Sequence, residues 1–338
     1  MRSLLEKIQV LNLEFLNDGI SLQCITELNN TRGCTYFIDS HVYKKEQIMS
    51  AKANADPAVW IEDVIWDFIE QSPENTLQGP FQEKAFENPL VGFSNGADPI
   101  FESYKQYVGP YHWTPLEIFN QTFPASSVKA EELTVISYIL PQTEATKADN
   151  RRQATYPAER WARARIFGEQ VNVKLRNLVV DVLQNEGHQA VAPMLSPLWK
   201  RKKSDQYVFA STWSERHMAY ASGLGTFGLC DGLITARGKA MRTGSVVAHI
   251  KIKTTSRPYE DHQAYCLFFS QGICGNCIPR CPVGALSEKG HDKLKCLLHL
   301  KPASAEYVKT NFGFDGYGCG LCQTGVPCES KIPSRQDV

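Results

Sequence analysis

AYCLFFSQGICGNCIPRCPVGAL, residues 264–286, decides the character of the last quarter of this chain, because it sets four cysteines at metal-ligand spacing. Cys274, Cys277 and Cys281 are separated by two and three residues, Pro282 follows the last, and Cys266 stands apart upstream. Cys296 comes next, alone, and then YGCGLCQTGVPCES at 317–330 carries Cys319, Cys322 and Cys328. Eight of the 11 cysteines therefore fall in this part of the chain. A C-x2-C pair places two thiolates around one metal centre. A C-x3-C-P ending marks runs that serve two iron–sulfur clusters, where the final cysteine crosses to the other cluster.

Two [4Fe-4S] clusters need eight thiolates, and the crossing rule divides them. Cys266, Cys274, Cys277 and Cys328 are expected to hold one cluster, and Cys281, Cys296, Cys319 and Cys322 the other. A pair of all-cysteine zinc knuckles also uses C-x2-C pairs, but a tetrahedral zinc site gives no reason for the C-x3-C-P ending. Disulfides suit small secreted scaffolds better than thiols spaced this tightly.

The rest of the composition is that of a globular chain: 338 residues, 43% hydrophobic and 21% charged, with 36 basic against 36 acidic residues. With no net charge, any basic binding site must be local. The N-terminus MRSLLEKIQVLNLEF lacks an unbroken apolar stretch, and no apolar run reaches the roughly 18 residues of a membrane span. A cytoplasmic location without membrane contact is expected, and a reducing compartment suits thiolates kept for metal.

Upstream, residues 34–38 alternate like a short strand. Residues 57–70 place Ile61, Val64, Ile65 and Phe68 on one helical face behind a proline at the first turn. From 72 to 115 turn formers dominate and predict a long irregular segment. Its aromatics, Phe93, Phe101, Tyr104, Tyr107, Tyr111, His112 and Trp113, are expected mostly to cover core, with a pocket lid as the functional option for residues 92–113. LTVISYIL at 133–140 is apolar on both faces, as in a strand buried inside a sheet. Residues 157–186 form a long helical pattern with Val171, Leu175, Leu178 and Val182 on one face, stopped by Gly187, and with Arg160, Arg163 and Arg165 in its first half. A strand at 188–195, a basic loop at 200–203 and an alternating strand at 245–253 complete the α/β pattern.

Within WSERHMAYASGLGTFGLCDGLIT, residues 213–235, Gly223, Gly225 and Gly228 spell G-x-G-x-x-G. The dinucleotide fingerprint is argued against by a preceding helix-like segment where a strand belongs, and by the absence of any acidic residue between Asp231 and Glu260. That interval instead holds Arg237, Lys239, Arg242, Lys251, Lys253 and Arg257. Such a loop could bring backbone amides close to a bulky anionic ligand, although three turn glycines would read the same way. Cys230 is expected to be a small core residue. Cys24 and Cys34 have no partner pattern.

The order of these motifs, VISYIL, the arginine-bearing helix, SERHMAYASGLGTFGLCDGLIT, an alternating strand, CGNCIPRCPVGAL, an isolated Cys296 and YGCGLC, resembles the epoxyqueuosine reductase family and, more distantly, reductive dehalogenases. It covers residues 130–330. The resemblance implies an α+β chain: a nitroreductase-like α/β domain at 126–258 holding base-off cobalamin, and a two-[4Fe-4S] ferredoxin-like domain at 259–338. Residues 1–125 would pack on or cap the active site. It further implies that Gly223, Leu224, Gly225, Thr226 and Gly228 contact the corrinoid, and that electrons reach cobalt through the clusters.

Several positions depart from the family pattern. Where epoxyqueuosine reductases carry GRDYH, this chain has Gly168, Glu169, Gln170, Val171 and Asn172, which leaves Glu169 as a proton-donor candidate one position off. A dehalogenase-like tyrosine donor would be Tyr156 beside Arg160 or Tyr220 beside Arg216. Gln271 stands where the first cysteine of a C-x2-C-x2-C run belongs, so Cys266 must substitute from a longer loop, and no proline follows Cys328.

The expected function is a reductase fed single electrons by a ferredoxin or flavodoxin, passing them through two [4Fe-4S] clusters to a corrinoid that reduces a small molecule or a tRNA base. The alternatives are an electron-transfer or corrinoid-reactivating protein with no small substrate of its own, and a zinc-stabilised module that binds RNA.

Overall fold

In a computed structural model of the chain, residues 56–80, 82–204 and 207–338 are described. The strand expected at 34–38, and Cys24 and Cys34, lie outside them. The chain divides into two units, 1–60 and 61–338. Of the first, only residues 56–60 are described, and they include the first turn of helix α1 (Pro57–Gln71). In the second unit Ile61, Val64, Ile65 and Ile69 are the buried face of α1, and Ile69 replaces the expected Phe68.

The centre of the larger unit is β2 (Leu133–Pro141), every residue of which is buried. It pairs antiparallel with β1 (Leu90–Asn95) on one side and with β8 (Met241–His249) on the other. The two-residue strand β3 (Ala190–Val191) pairs with the far edge of β8. Sheet order is β1-β2-β8-β3, with every pairing antiparallel. The architecture is α+β: β2 and β3 run the same way but are separated by β8, so the strand–helix–strand passage does not pair its two strands.

Both faces of the sheet are covered, which explains why β2 shows no polar alternation. On one face Leu133, Val135, Ile139 and Val247 pack with Trp213, Met218, Phe101, Tyr104, Ile118 and Phe119. These come from α2 (Ile100–Tyr107), α3 (Pro115–Thr122) and α6 (Glu215–Ala221), together with the segment before α6. On the other, Tyr138 donates through its hydroxyl to Asn172 Oδ1 at 2.9 Å, on the long helix α5 (Glu159–Asn185). Tyr138 lies opposite Gly244 in the register, where a Cβ would meet its hydroxyl at 2.2 Å, so only glycine fits there.

Several local expectations are corrected by tertiary pairing. The segment 72–115 is not a continuous irregular stretch: it contains β1 and α2, because β1 finds β2 as a partner despite its turn-forming neighbours. Phe93, Phe101, Tyr104 and His112 are buried, so the core-covering role holds for them, while Tyr107 is 61% exposed. The buried face of α5 is Val171, Leu175, Val179 and Leu183, turned from the expected one by a residue in its second half. The strand at 188–195 shrinks to β3, and the basic loop at 200–203 lies in a hairpin of β4 (Arg201–Ser204) with β5 (Val208–Ser211). The strand expected at 245–253 starts and ends four residues earlier, as β8.

Candidate metal centres

The cysteine-rich part is attached to the sheet unit by a few specific links. Its tail lies along the residues before β8: the Lys239 amide donates to the carbonyls of Cys328 (2.9 Å) and Glu329 (3.1 Å), and that of Ala240 to Glu329 (3.1 Å). Gly238, at φ +76°, lets this approach happen, since a Cβ there would meet the Glu329 carbonyl at 2.1 Å. The carboxylate of Glu329 is ion-paired with Arg151 at the end of α4 (Glu144–Arg151). Asn150 donates to the Cys319 carbonyl at 3.1 Å, and Arg280 donates to the carbonyls of Asn150, Gln153, Leu321 and Thr324. These bonds fix the backbone around four of the cysteines.

Cys266, Cys274, Cys277 and Cys328 line one cavity, together with Gly228 and Lys239. The two cysteines at unusual spacing reach it by local turns. Cys266 caps the short helix α7 (Leu267–Gln271), whose reversal at Gly272 (φ +68°) returns the chain to Cys274. Gln271, at the position where a ligand is usual, accepts from Arg335 at 2.7 Å. Cys328 follows a turn at Gly325 (φ +68°) and is held by its carbonyl on Lys239.

Of the remaining four cysteines, Cys281 and Cys322 pack against the apolar cluster that contains Cys266, Cys277 and Cys328. Burial pushes the Cys319 thiol up to about 11, and the fields of Cys296 and Cys281 add to the rise. Cys322 also lies in the field of Cys319. Gly320, between them at φ +66°, faces the Trp161 indole closely enough to exclude any Cβ. Cys281 Sγ accepts from the Ala285 amide at 3.2 Å. Beside Cys296, burial opposes the charge of His291, but Asp231, 2.9 Å from its Nδ1, and the Cys296 thiol outweigh it and lift the ring to about 9. Among the described residues, no three His, Cys, Asp or Glu side chains converge as ligands of a single metal ion. Four cysteines from three stretches of chain line one cavity, which is the donor set that a four-thiolate cluster requires.

Two residues that sequence spacing did not single out stand beside these sets. Cys230 is buried, as expected, but its Sγ accepts from Lys239 Nζ at 3.4 Å. A hydrogen bond with Cys322 and the Lys239 ammonium hold the Cys230 thiol well below its usual range, against the effect of burial. A lysine in a basic stretch reads as solvated, so no sequence signal pointed to Lys239.

The glycine loop is built differently from a ligand cradle. Gly225 lies in β6 (Gly225–Phe227), paired with β7 (Leu233–Thr235), and a Cβ on it would meet the Ile234 carbonyl at 2.2 Å. At Gly223 (φ +78°) a Cβ would meet the Ser256 carbonyl at 2.4 Å. The amides of Gly223, Leu224, Gly225, Phe227 and Gly228 donate to Tyr220 O, Ala219 O, Tyr259 Oη, His262 O and Gly232 O. Thr226 Oγ1 accepts from the Tyr265 amide at 2.9 Å. Gly223 and Gly225 are thus required by packing within the chain, and these amides are not available to an anion. The loop as built therefore offers none of these five amides as a donor to a ligand. The bases downstream are dispersed as well: Arg237 pairs with Glu87, Arg257 with Asp98, and Lys239 is buried.

The three proton-donor candidates have separate surroundings. Glu169 is ion-paired with Arg176 at 3.0 Å. Tyr156 stacks on His299 and Tyr307, with centroids 5.5 and 4.3 Å away. Tyr220 is buried against Tyr259 and Phe227, and burial raises its hydroxyl above the usual tyrosine range. The helix arginines are also engaged: Arg160 with Glu83 and Asp149, Arg163 with Glu159, and Arg165 with the Tyr317 hydroxyl.

The chain is similar to solved structures of two kinds of reductase. Epoxyqueuosine reductase from Bacillus subtilis matches at 16% identity and a TM-score of 0.40, over 73% of this chain and 63% of that one. A crystal structure of epoxyqueuosine reductase with an epoxyqueuosine-modified tRNA-Tyr stem loop matches at 16% identity and 0.42, over 71% and 61%. A catabolic reductive dehalogenase matches at 11% identity and 0.44, over 83% and 38%. This chain spans less than two thirds of the length of each. They belong to the two families that its cysteine runs and glycine loop resemble. No family model matches the sequence. No curated protein matches it either. No helix among the described residues is long and apolar enough to cross a membrane.

Proposed function

We propose that this chain is an iron–sulfur oxidoreductase carrying two [4Fe-4S] clusters, one on Cys266, Cys274, Cys277 and Cys328, the other on Cys281, Cys296, Cys319 and Cys322. One observation carries the reading: the first four cysteines line a single cavity although Cys266 and Cys328 lie far apart in sequence. Protein-bound clusters take up and release single electrons at potentials that reach roughly −700 mV. The chain's own contribution is to hold the thiolates, to bury Cys266, Cys277 and Cys328, and to fix the loops through Arg280, Asn150 and Gly238.

Electrons would enter from a ferredoxin or flavodoxin and leave to an acceptor. The narrower reading, a reductase whose acceptor is its own corrinoid acting on a small molecule or a tRNA base, rests on the motif order. The glycine loop favours the second reading, an electron-transfer or corrinoid-reactivating protein, because its amides are already used within the chain. Iron, sulfide, zinc and cobalt analysis of anaerobically purified protein tests both. About eight irons per chain are expected. Cobalt in equal amount to the chain would favour the narrower reading, and a colourless, zinc-loaded protein would refute the proposal.

A further inference from the structure

Lys239 sits where a lysine needs a reason. It is only 3% exposed, yet among the described residues it has no carboxylate partner. Its Nζ donates to Cys230 Sγ at 3.4 Å, and its side chain lines the cavity formed by Cys266, Cys274, Cys277 and Cys328. An ammonium withdrawn from water keeps its charge only against a compensating negative charge. Here the atoms within reach that can carry the compensating charge are sulfurs: Cys230 Sγ accepts from Nζ at 3.4 Å, and Cys266, Cys274, Cys277 and Cys328 line the same cavity as the lysine. The backbone leaves the side chain little choice of position, because the Lys239 amide is held by the Cys328 and Glu329 carbonyls.

We infer that Lys239 is a positioning residue for electron transfer: a buried, permanent positive charge that stabilises the reduced form of the cluster on Cys266, Cys274, Cys277 and Cys328 and raises its reduction potential. The inference rests on the two-cluster reading above. Reduction adds one electron to the cluster and its four thiolates, with no proton taken up and no bond to the protein made or broken. The unit becomes more negative by one charge, and a fixed cation in the cavity wall favours that state. Net charge and hydrogen bonds near the sulfurs are among the levers that set cluster potentials. Lys239 lines the cavity of the first four cysteines and none of the other four lines it, so the second cluster should feel the charge more weakly.

The test compares wild type, Lys239→Met and Lys239→Arg, all purified anaerobically, by redox titration followed by electron paramagnetic resonance. Methionine keeps most of the length and removes the charge. One of the two potentials should fall in Lys239→Met by at least a tenfold change in the reduction equilibrium, which is 59 mV for one electron, while Lys239→Arg should stay near wild type. Unchanged potentials in Lys239→Met with full iron content would overturn the inference, as would equal shifts in Met and Arg. If Lys239→Met takes up no first cluster, Lys239→Gln is added. Loading by Lys239→Arg alone would show that the charge itself is required, whereas failure of all three would mean that lysine's shape is what matters. A wild-type protein without iron or sulfide would instead refute the two-cluster reading, so the two failures are distinguishable.

Discussion

His112 should make this protein lose stability as pH falls, by an amount its surroundings set. The ring is fully buried, with neither nitrogen hydrogen-bonded, and it stacks on Trp213 at 6.2 Å and meets Tyr104 edge-on at 5.6 Å. Burial, helped by Lys105 and opposed by the Trp113 backbone and Glu117, lowers its pKa from 6.5 to about 4. A histidine depressed in the fold is neutral there while the unfolded chain still binds a proton. Stability is therefore complete above 6.5 and lost as pH falls towards 4. Each pH unit inside that window is worth about 1.36 kcal/mol.

Between pH 7.5 and 5.5 roughly one unit lies in the window, so His112 should contribute a loss of about 1.3 kcal/mol. The buried neighbour His217, 6.0 Å away and also depressed by burial, adds a loss of the same sign. Replacing His112 by Leu removes the first contribution and the part of the second that comes from the field of His112. Anaerobic urea unfolding of both proteins at the two pH values, followed by tryptophan fluorescence, gives the double difference, in which the burial of His217 and any cluster loss common to both cancel. A double difference near zero, or one showing the variant more pH-sensitive, would refute the reasoning.

Two further outcomes are expected. Arg176, 2% exposed, pairs with Glu169 and with buried Glu215 at 3.1 Å. Arg176→Met should cost about 3–5 kcal/mol, because it strands the Glu215 charge, and Glu215→Gln added to it should recover part of that in a double-mutant cycle. Cys274→Ser and Cys319→Ser should each lower iron from about eight to about four per chain, since each removes a ligand of a different cluster. Equal, complete iron loss in both would argue for a single shared centre.

The paired cysteines were legible because ligand spacing is a local property: C-x2-C brings two thiols together by chain geometry alone. β2 and α5 were legible for the same reason, through continuous apolarity and helical period. Element boundaries failed where a partner decides them. β1 exists because β2 offers a free edge, and β3 is short because it pairs with only two residues of β8. The glycine loop was open to two readings. Its letters match a ligand-binding turn, but glycine is equally demanded wherever backbone must approach backbone, as Gly225 approaches Ile234.

The sequence by itself determined that eight cysteines at ligand spacing follow an α+β region, because spacing and periodicity act over a few residues. The tertiary structure brings Cys266 and Cys328, which the crossing rule groups with Cys274 and Cys277, onto the wall of one cavity, and it alone decided that Lys239 lines that cavity too. A residue's charge is written in its letter. Whether that charge faces water or thiols depends on what the fold brings against it.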